Sequence, residues 1–405
     1  MAGEKKGVVV VLVQAALLTA LIVGLSAGSV RLWGGKPEKT LERPKFRFEA
    51  GLTVGEFQRL NNIPDQVMRK ALDLPDRDDP ARPLASLGLD QDRIAARLNQ
   101  ALALAEEEAS KNWKKILLKF AAWILFLSGA FMILRRGRMS PGRRKVFYLS
   151  ATLIFGVVLG SDPNAMGTIK DAIFLYASRG AVFPPRLVAF AVFMLMAVAA
   201  NKFICSWGCQ FGTFQDLLFR LTRDSRDRPG SFPRIKVPFA VSNSVRVAFL
   251  GLFVGLALAW TFDLIGAIDP FKIFSPLSLG AAGAIFTGAL AAGSLFVYRP
   301  WCHFFCPFGL AGWLAEKVSL YRIKVDYTTC VACEKCAAAC PSTVMGAILK
   351  QDRAAVPDCF SCGSCLAVCP TGSISFSRGR RAKPPEGHFD RRKKTGKAGG
   401  ATLGV

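Results

Sequence analysis

The stretches CVACEKCAAACP (Cys330–Pro341) and CFSCGSCLAVCP (Cys359–Pro370) decide how this chain is read. Each has the form Cys-x2-Cys-x2-Cys-x3-Cys-Pro. A four-iron cluster needs four thiolates, and in runs of this spacing the fourth Cys serves the cluster of the other run. The expected ligand sets are Cys330, Cys333, Cys336 and Cys369 for cluster 1, and Cys359, Cys362, Cys365 and Cys340 for cluster 2. Paired zinc knuckles also use Cys-x2-Cys. Zinc has no use for a third Cys two residues on, or for the Cys-Pro that follows, and here the whole pattern occurs twice.

Outward from these runs, the 405-residue chain is 51% hydrophobic, which is too apolar for an ordinary soluble protein of this length. The formal net charge of +24 is concentrated in the linkers between apolar stretches and in the tail, whereas residues 30–113 are roughly balanced. That distribution fits the retained loops of a membrane protein and argues against nucleic-acid binding. The chain has twelve Cys: eight in the two runs and four in the pairs described below, which leaves none for a structural disulfide.

Six apolar stretches are long enough to suggest spans: 8–28, 113–134, 146–160, 187–204, 245–262 and 277–298. Lys5 and Lys6 place the N-terminus inside, and 1–29 reads as an uncleaved anchor rather than a signal peptide. Residues 30–112 form an extracytoplasmic helical segment. Thr53-x-x-Glu56 is a capping box, Pro64 opens a second helix with Val67, Met68, Ala71 and Leu72 on one face, and 92–111 is a third. The transmembrane core follows at 113–321, with basic inside loops at 135–145 and 220–236, then the two-cluster domain at 322–376. Residues 377–405 read as a basic disordered tail that touches anionic lipid. The expected fold is thus an α-helical polytopic membrane protein of about six spans, containing a duplicated two-span unit, with a C-terminal α+β two-cluster ferredoxin domain.

The duplication shows in the core. Asp162-Pro163 corresponds to Asp269-Pro270, and Cys205-Ser-Trp-Gly-Cys209-Gln-Phe-Gly212 to Cys302-His-Phe-Phe-Cys306-Pro-Phe-Gly309. Both halves run inside–outside–inside, as parallel repeats do. If each Cys-x3-Cys lies on a helix, its thiols share a face, and packed copies would bring both pairs to the inner membrane surface. Such thiols can hold a further metal or cluster, cycle between dithiol and disulfide, or simply pack as small residues. His303 lies inside the second pair, as a candidate ligand or proton acceptor or as a satisfied helix-end His. Only two His occur in the chain, His303 and His388, so a bis-His haem within it is excluded. No Cys-x2-Cys-His and no dinucleotide-binding glycine motif is present.

The twin Cys-x3-Cys motifs followed by the two-cluster domain resemble the NapH/NosR-type membrane ferredoxins and, more distantly, the CcoG-type accessory proteins of oxidases. The resemblance covers roughly residues 146–376. It implies electron transfer between membrane quinol and a respiratory partner through two [4Fe-4S] clusters, at a bacterial or archaeal plasma membrane, in anaerobic respiration. The basic linkers and the alternation of spans place both termini and the ferredoxin domain on the cytoplasmic side. Gln210 stands where the motif has Pro, two extra spans and a helical segment precede the shared part, and that segment is too short for the flavin domain of NosR-type proteins. Polar groups near the spans, Asp162, Asn164, Lys170, Asp269 and Lys272, are the quinone-contact candidates. The competing functions are a metal-handling or maturation factor that uses the Cys pairs, and a membrane redox sensor.

Overall fold

In the computed structural model, residues 2–33, 44–75, 80–221, 223, 232–350 and 358–389 are described. Three helices among them are long and apolar enough to cross a membrane: α1 (Ala2–Trp33, apolar over Gly7–Arg31), α5 (Trp113–Arg135) and α11 (Phe239–Trp260). The other three apolar stretches form shorter elements. Residues 146–160 belong to α6 (Pro141–Ala151) and a π-helical continuation, Thr152–Val158. The stretches 187–204 and 277–298 hold α8 (Pro184–Ala200) and α13 (Ala281–Gly293). Helix α8 stops where Asn201 and Lys202 both take left-handed backbone (φ 54° and 55°). Leu117, Leu125, Val188, Leu195, Leu258 and Ile285 stay exposed on α5, α8, α11 and α13, as an apolar belt facing lipid would.

Between α1 and α5 lies a small helical unit: α2 (Val54–Leu60), α3 (Asp65–Leu72) and α4 (Gln91–Ala109). Thr53 and Glu56 close the capping box, with the Thr53 N–H donating to the Glu56 carboxylate at 2.9 Å. Val67, Met68, Ala71 and Leu72 are buried with Phe57, Ile94 and Leu98. This unit is fastened to the core. Arg186 at the start of α8 donates to Glu107 of α4 at 2.8 Å, and Lys111 pairs with the same carboxylate at 3.0 Å.

The core is completed by α7 (Ala165–Arg179), α9 (Phe203–Trp207), α10 (Gln210–Leu221), α12 (Leu264–Ala267), α14 (Pro300–Phe304) and α15 (Pro307–Glu316). Helix α10 packs on α6, α15 packs on α7 and α8, and α11 packs on α7 and α14. Helix α1 lies against the π-helical segment and α10, so it is part of the bundle.

The C-terminal domain pairs β1 (Tyr321–Val325) with β2 (Ile374–Arg378), antiparallel, with Tyr321 opposite Arg378 and Val325 opposite Ile374. Between them come α16 (Lys335–Ala339), α17 (Val344–Lys350) and α18 (Ser364–Val368). The domain is docked on the core: Phe376 stacks on Phe203 at 5.9 Å, and the Leu320 N–H donates to the Val198 carbonyl at 2.8 Å. The expected disordered tail needs correcting in its first part. Residues 377–389 are placed against the domain because His388 and Phe389 cover Tyr327 edge-on (5.6 and 6.5 Å). Residues 390–405 lie outside the described residues, as do 222 and 224–231 of the predicted loop at 220–236.

Candidate redox site

The two Cys runs fold alike. In each, the third and fifth positions are left-handed: Ala332 and Glu334 (φ 52° and 54°), Ser361 and Gly363 (φ 52° and 76°). Such turns wrap the chain around a common point and aim successive thiols and N–H groups inward. A short helix then carries the third Cys of each run, and the Cys-Pro end crosses to the other side. One cavity is lined by Cys330, Cys333, Cys336 and Cys369, and a second by Cys340, Cys359, Cys362 and Cys365. Four thiols per cavity are the donor set that a [4Fe-4S] cluster requires, so the residues fit the group. Among the described residues no three His, Cys, Asp or Glu side chains are close enough to share one metal ion; a four-iron cube holds its thiolates farther apart than a single ion does. The sulfurs have polar neighbours that stabilise thiolate charge. The Ser361 N–H donates to Cys359 Sγ at 3.4 Å, and the Ser364 hydroxyl lies 3.5 Å from Cys362 Sγ.

The membrane Cys pairs differ from expectation in two ways. Neither pair lies on one continuous helix. Cys205 is in α9, which Gly208 terminates before Cys209, and Cys302 is in α14, while Cys306 caps α15 because Pro307 opens that helix. The pairs also do not sit at the end of the bundle. The left-handed turn at 201–202 sends the chain back among the helices, and the indole N–H of Trp123, near the middle of α5, donates to the Gly208 carbonyl at 2.9 Å. Cys205, Cys302 and Cys306 are nonetheless buried in one apolar cluster, with Cys209 packed against it. Gly212 and Gly309 hold matching places. A Cβ on Gly212 would lie 2.9 Å from the Cys205 carbonyl oxygen, and one on Gly309 would lie 2.7 Å from that of Cys302.

Buried ion pairs tie these pairs to the second cavity. Lys202 and Arg246 both donate to Asp358, the residue before Cys359, and Arg246 does so at 2.9 Å. Burial raises the Asp358 carboxyl, but the two cations outweigh it and hold the group well below the usual carboxylate range. Burial pushes Glu316 the other way, above the ordinary range, and the Asp358 charge adds to this; its carboxylate accepts the Cys359 N–H at 2.9 Å. Asp216 on α10 is bracketed by Arg220 (2.6 Å) and Arg299 (2.7 Å) and also accepts from the Tyr298 hydroxyl (2.9 Å). Phe360, between Cys359 and Ser361, belongs to the membrane core. Its ring lies 5.1 Å from His303, 5.9 Å from Tyr298, and under the Lys202 ammonium at 4.3 Å. His303 thus stands between the Cys pairs and the second run, with its Nδ1 3.2 Å from the Arg299 carbonyl.

The quinone-contact candidates are all engaged within the chain. Asn164 caps α7 by accepting from the Gly167 N–H (2.7 Å) and donates to Asp162 (3.1 Å). Lys170 pairs with Asp171, Asp263 and Asp269 at 3.0, 3.5 and 3.7 Å, and Lys272 donates to the Gly266 carbonyl at 2.7 Å. This loop reaches the Cys motif. Gln210, next to Cys209, donates to the Ser161 carbonyl at 2.7 Å.

Sequence reading did not single out Lys202, Asp216, Arg246, Arg299, Asp358 or Phe360. One signal was available: Lys202 and Arg299 each precede the first Cys of a pair by three residues, so a cation recurs at the same register of the repeat.

Comparison with known proteins gives two family matches. A 4Fe-4S dicluster domain matches residues 322–370, and a 4Fe-4S binding domain matches twice, at 182–229 and 279–325. Each of the latter matches contains one Cys-x3-Cys pair. Among curated relatives, YccM of Escherichia coli (strain K12), named for electron transport, is 29% identical over 39% of this chain and 45% of its own. Protein NirI of Paracoccus denitrificans is 25% identical over 56% of this chain and 36% of its own. The regulatory protein NosR of Pseudomonas aeruginosa is 25% identical over 60% and 36%. The chain thus spans less than half the length of these relatives. No solved structure matches it.

Proposed function

We propose that this chain, which is similar to YccM, NirI and NosR and matches 4Fe-4S domain families, is a membrane ferredoxin of the NapH/NosR type that passes electrons between the membrane quinone pool and a respiratory partner protein through two [4Fe-4S] clusters. The observation that carries this reading is the burial of Phe360, from the second Cys run, beside His303 in the same apolar cluster as Cys205, Cys302 and Cys306. In the proposed relay, Cys340, Cys359, Cys362 and Cys365 hold the membrane-facing cluster. Cys330, Cys333, Cys336 and Cys369 hold the far cluster, whose cavity is walled by Val331 and Phe389 and faces a soluble partner. Bound there, the clusters supply one-electron storage; the chain supplies position and potential. Residues 30–112 lie on the outer side and the ferredoxin domain on the inner side, in line with the basic linker 135–145. The duplicated two-span unit is supported by the two matches of one family and by the matched glycines.

The test is reduction by quinol. Protein in lipid nanodiscs, given a short-chain quinol under anaerobic conditions, shows [4Fe-4S] EPR signals in the wild type and none in Cys209→Ser or Cys306→Ser, while iron content is unchanged. Equal reduction in these variants removes the Cys pairs from the path, and no reduction in the wild type with candidate partners present removes the function.

A further inference from the structure

Around the second cavity, buried cations outnumber buried carboxylates among the described residues. Lys202, Arg246 and Arg299 are fully buried, with Arg144 and Arg220 beside them, and the acids present are Asp358, Asp216, which also pairs with Arg220, and Glu316, which accepts the Cys359 N–H. The surplus is close to the cavity. Asp358 precedes Cys359, Lys202 and Arg299 lie over the Phe360 ring at 4.3 and 5.6 Å, and Arg220 donates to the Ser364 hydroxyl beside Cys365 at 3.2 Å. Buried charge without a counter-charge is costly, so this arrangement calls for an anion. A [4Fe-4S] cluster on four thiolates is a dianion when oxidised and a trianion when reduced. The first cavity has a different setting. Its lining has Glu334 as the one charged side chain, and no buried ion pair lies against it among the described residues.

We propose that Lys202, Arg246 and Arg299 form an electrostatic seat for the cluster of Cys340, Cys359, Cys362 and Cys365, favouring its reduced, more negative state and making it the higher-potential cluster of the two. One electron enters and no proton is taken up, so the added negative charge is balanced by fixed cations. The seat is made by the repeat itself: Lys202 and Arg299 are the matched cations of its two halves. Asp358 is the counterweight that sets how much of that positive charge the cluster senses. These are positioning and tuning residues; they do not ligate iron. The inference rests on the proposed cluster assignment.

An EPR-monitored redox titration of the full-length protein in nanodiscs tests it, with the second cluster's signal identified as the one altered by Cys359→Ser. Lys202→Gln and Arg246→Gln each move that cluster to lower potential, Asp358→Asn moves it to higher potential, and Lys202→Arg restores the wild-type value. The other cluster stays in place in all four. Opposite signs at the two ends of one ion pair are the decisive readout, because loosened packing would shift both variants the same way. Shifts of equal sign, or shifts of the other cluster instead, overturn the inference. If a Lys202 variant fails to assemble, Asp358→Asn alone still decides by its direction. A wild type lacking two clusters fails the parent assignment and this inference together.

Discussion

Lys202, three residues before Cys205, donates to the carbonyl of Gly309, three residues after Cys306, at 3.2 Å. The reverse contact is also made: Arg299, three residues before Cys302, donates to the Ser206 carbonyl at 2.9 Å. Each Cys-x3-Cys segment therefore sends its own cation to a backbone carbonyl beside the other Cys pair. Broken helices are tolerated at membrane depth when neighbouring groups take up their backbone bonds.

The matched glycines follow from this exchange. Gly212→Ala and Gly309→Ala each force a Cβ against a backbone oxygen that cannot move aside, which costs about 1–3 kcal/mol. Gly251→Ala and Gly255→Ala on α11 meet nothing within 4 Å and gain about 0.5–1 kcal/mol of helix propensity. Apparent melting temperature in detergent is expected to fall for the first pair and to hold or rise for the second.

Crossed ligation makes its own prediction. Cys340→Ser behaves like Cys359→Ser although it lies in the other run, and Cys369→Ser behaves like Cys330→Ser. Each variant retains about half the iron, and EPR shows which cluster is missing. Loss grouped by run, rather than by cavity, would contradict the crossed sets.

The helical unit of α2, α3 and α4 is held by the buried pair Arg186–Glu107. Removing Glu107 leaves Arg186 only the longer contact to Asp171 at 3.5 Å, so the cost falls below the about 3–5 kcal/mol of a buried ion left with no counter-charge. Glu107→Gln is expected to speed amide exchange across 91–109, and Glu107→Gln with Arg186→Gln to recover part of the protection. Unchanged exchange would show that α4 docks by apolar contacts alone.

Much of this was legible in the sequence. The Cys spacing named both thiol sets that the two cavities gather, and the capping box at Thr53 and the buried face Val67–Leu72 were readable from periodicity. The break in each Cys pair was half visible. Pro307 announces a helix start, whereas the left-handed turn at 201–202 before α9 is signalled only by Asn201, a residue that tolerates that backbone, and not by Lys202. The depth of the pairs was not legible, because it depends on Trp123 reaching Gly208 from another helix. Nor was the ion network: Asp216, Arg246 and Asp358 are far apart in sequence, and charges in or near apolar stretches read as anchors until their partners are known. His388 and Phe389 look like tail composition, and only their contact with Tyr327 gives them a place.

The central claim is that electrons cross from the membrane to the clusters through the duplicated core. Its most direct test is iron and sulfide analysis combined with EPR on the purified, lipid-reconstituted protein, before and after anaerobic addition of quinol. The account predicts about eight irons per chain and two [4Fe-4S] signals that appear on reduction, with the cluster of Cys340, Cys359, Cys362 and Cys365 reduced first. Clusters that dithionite reduces but quinol leaves oxidised, with or without a partner protein, would contradict it.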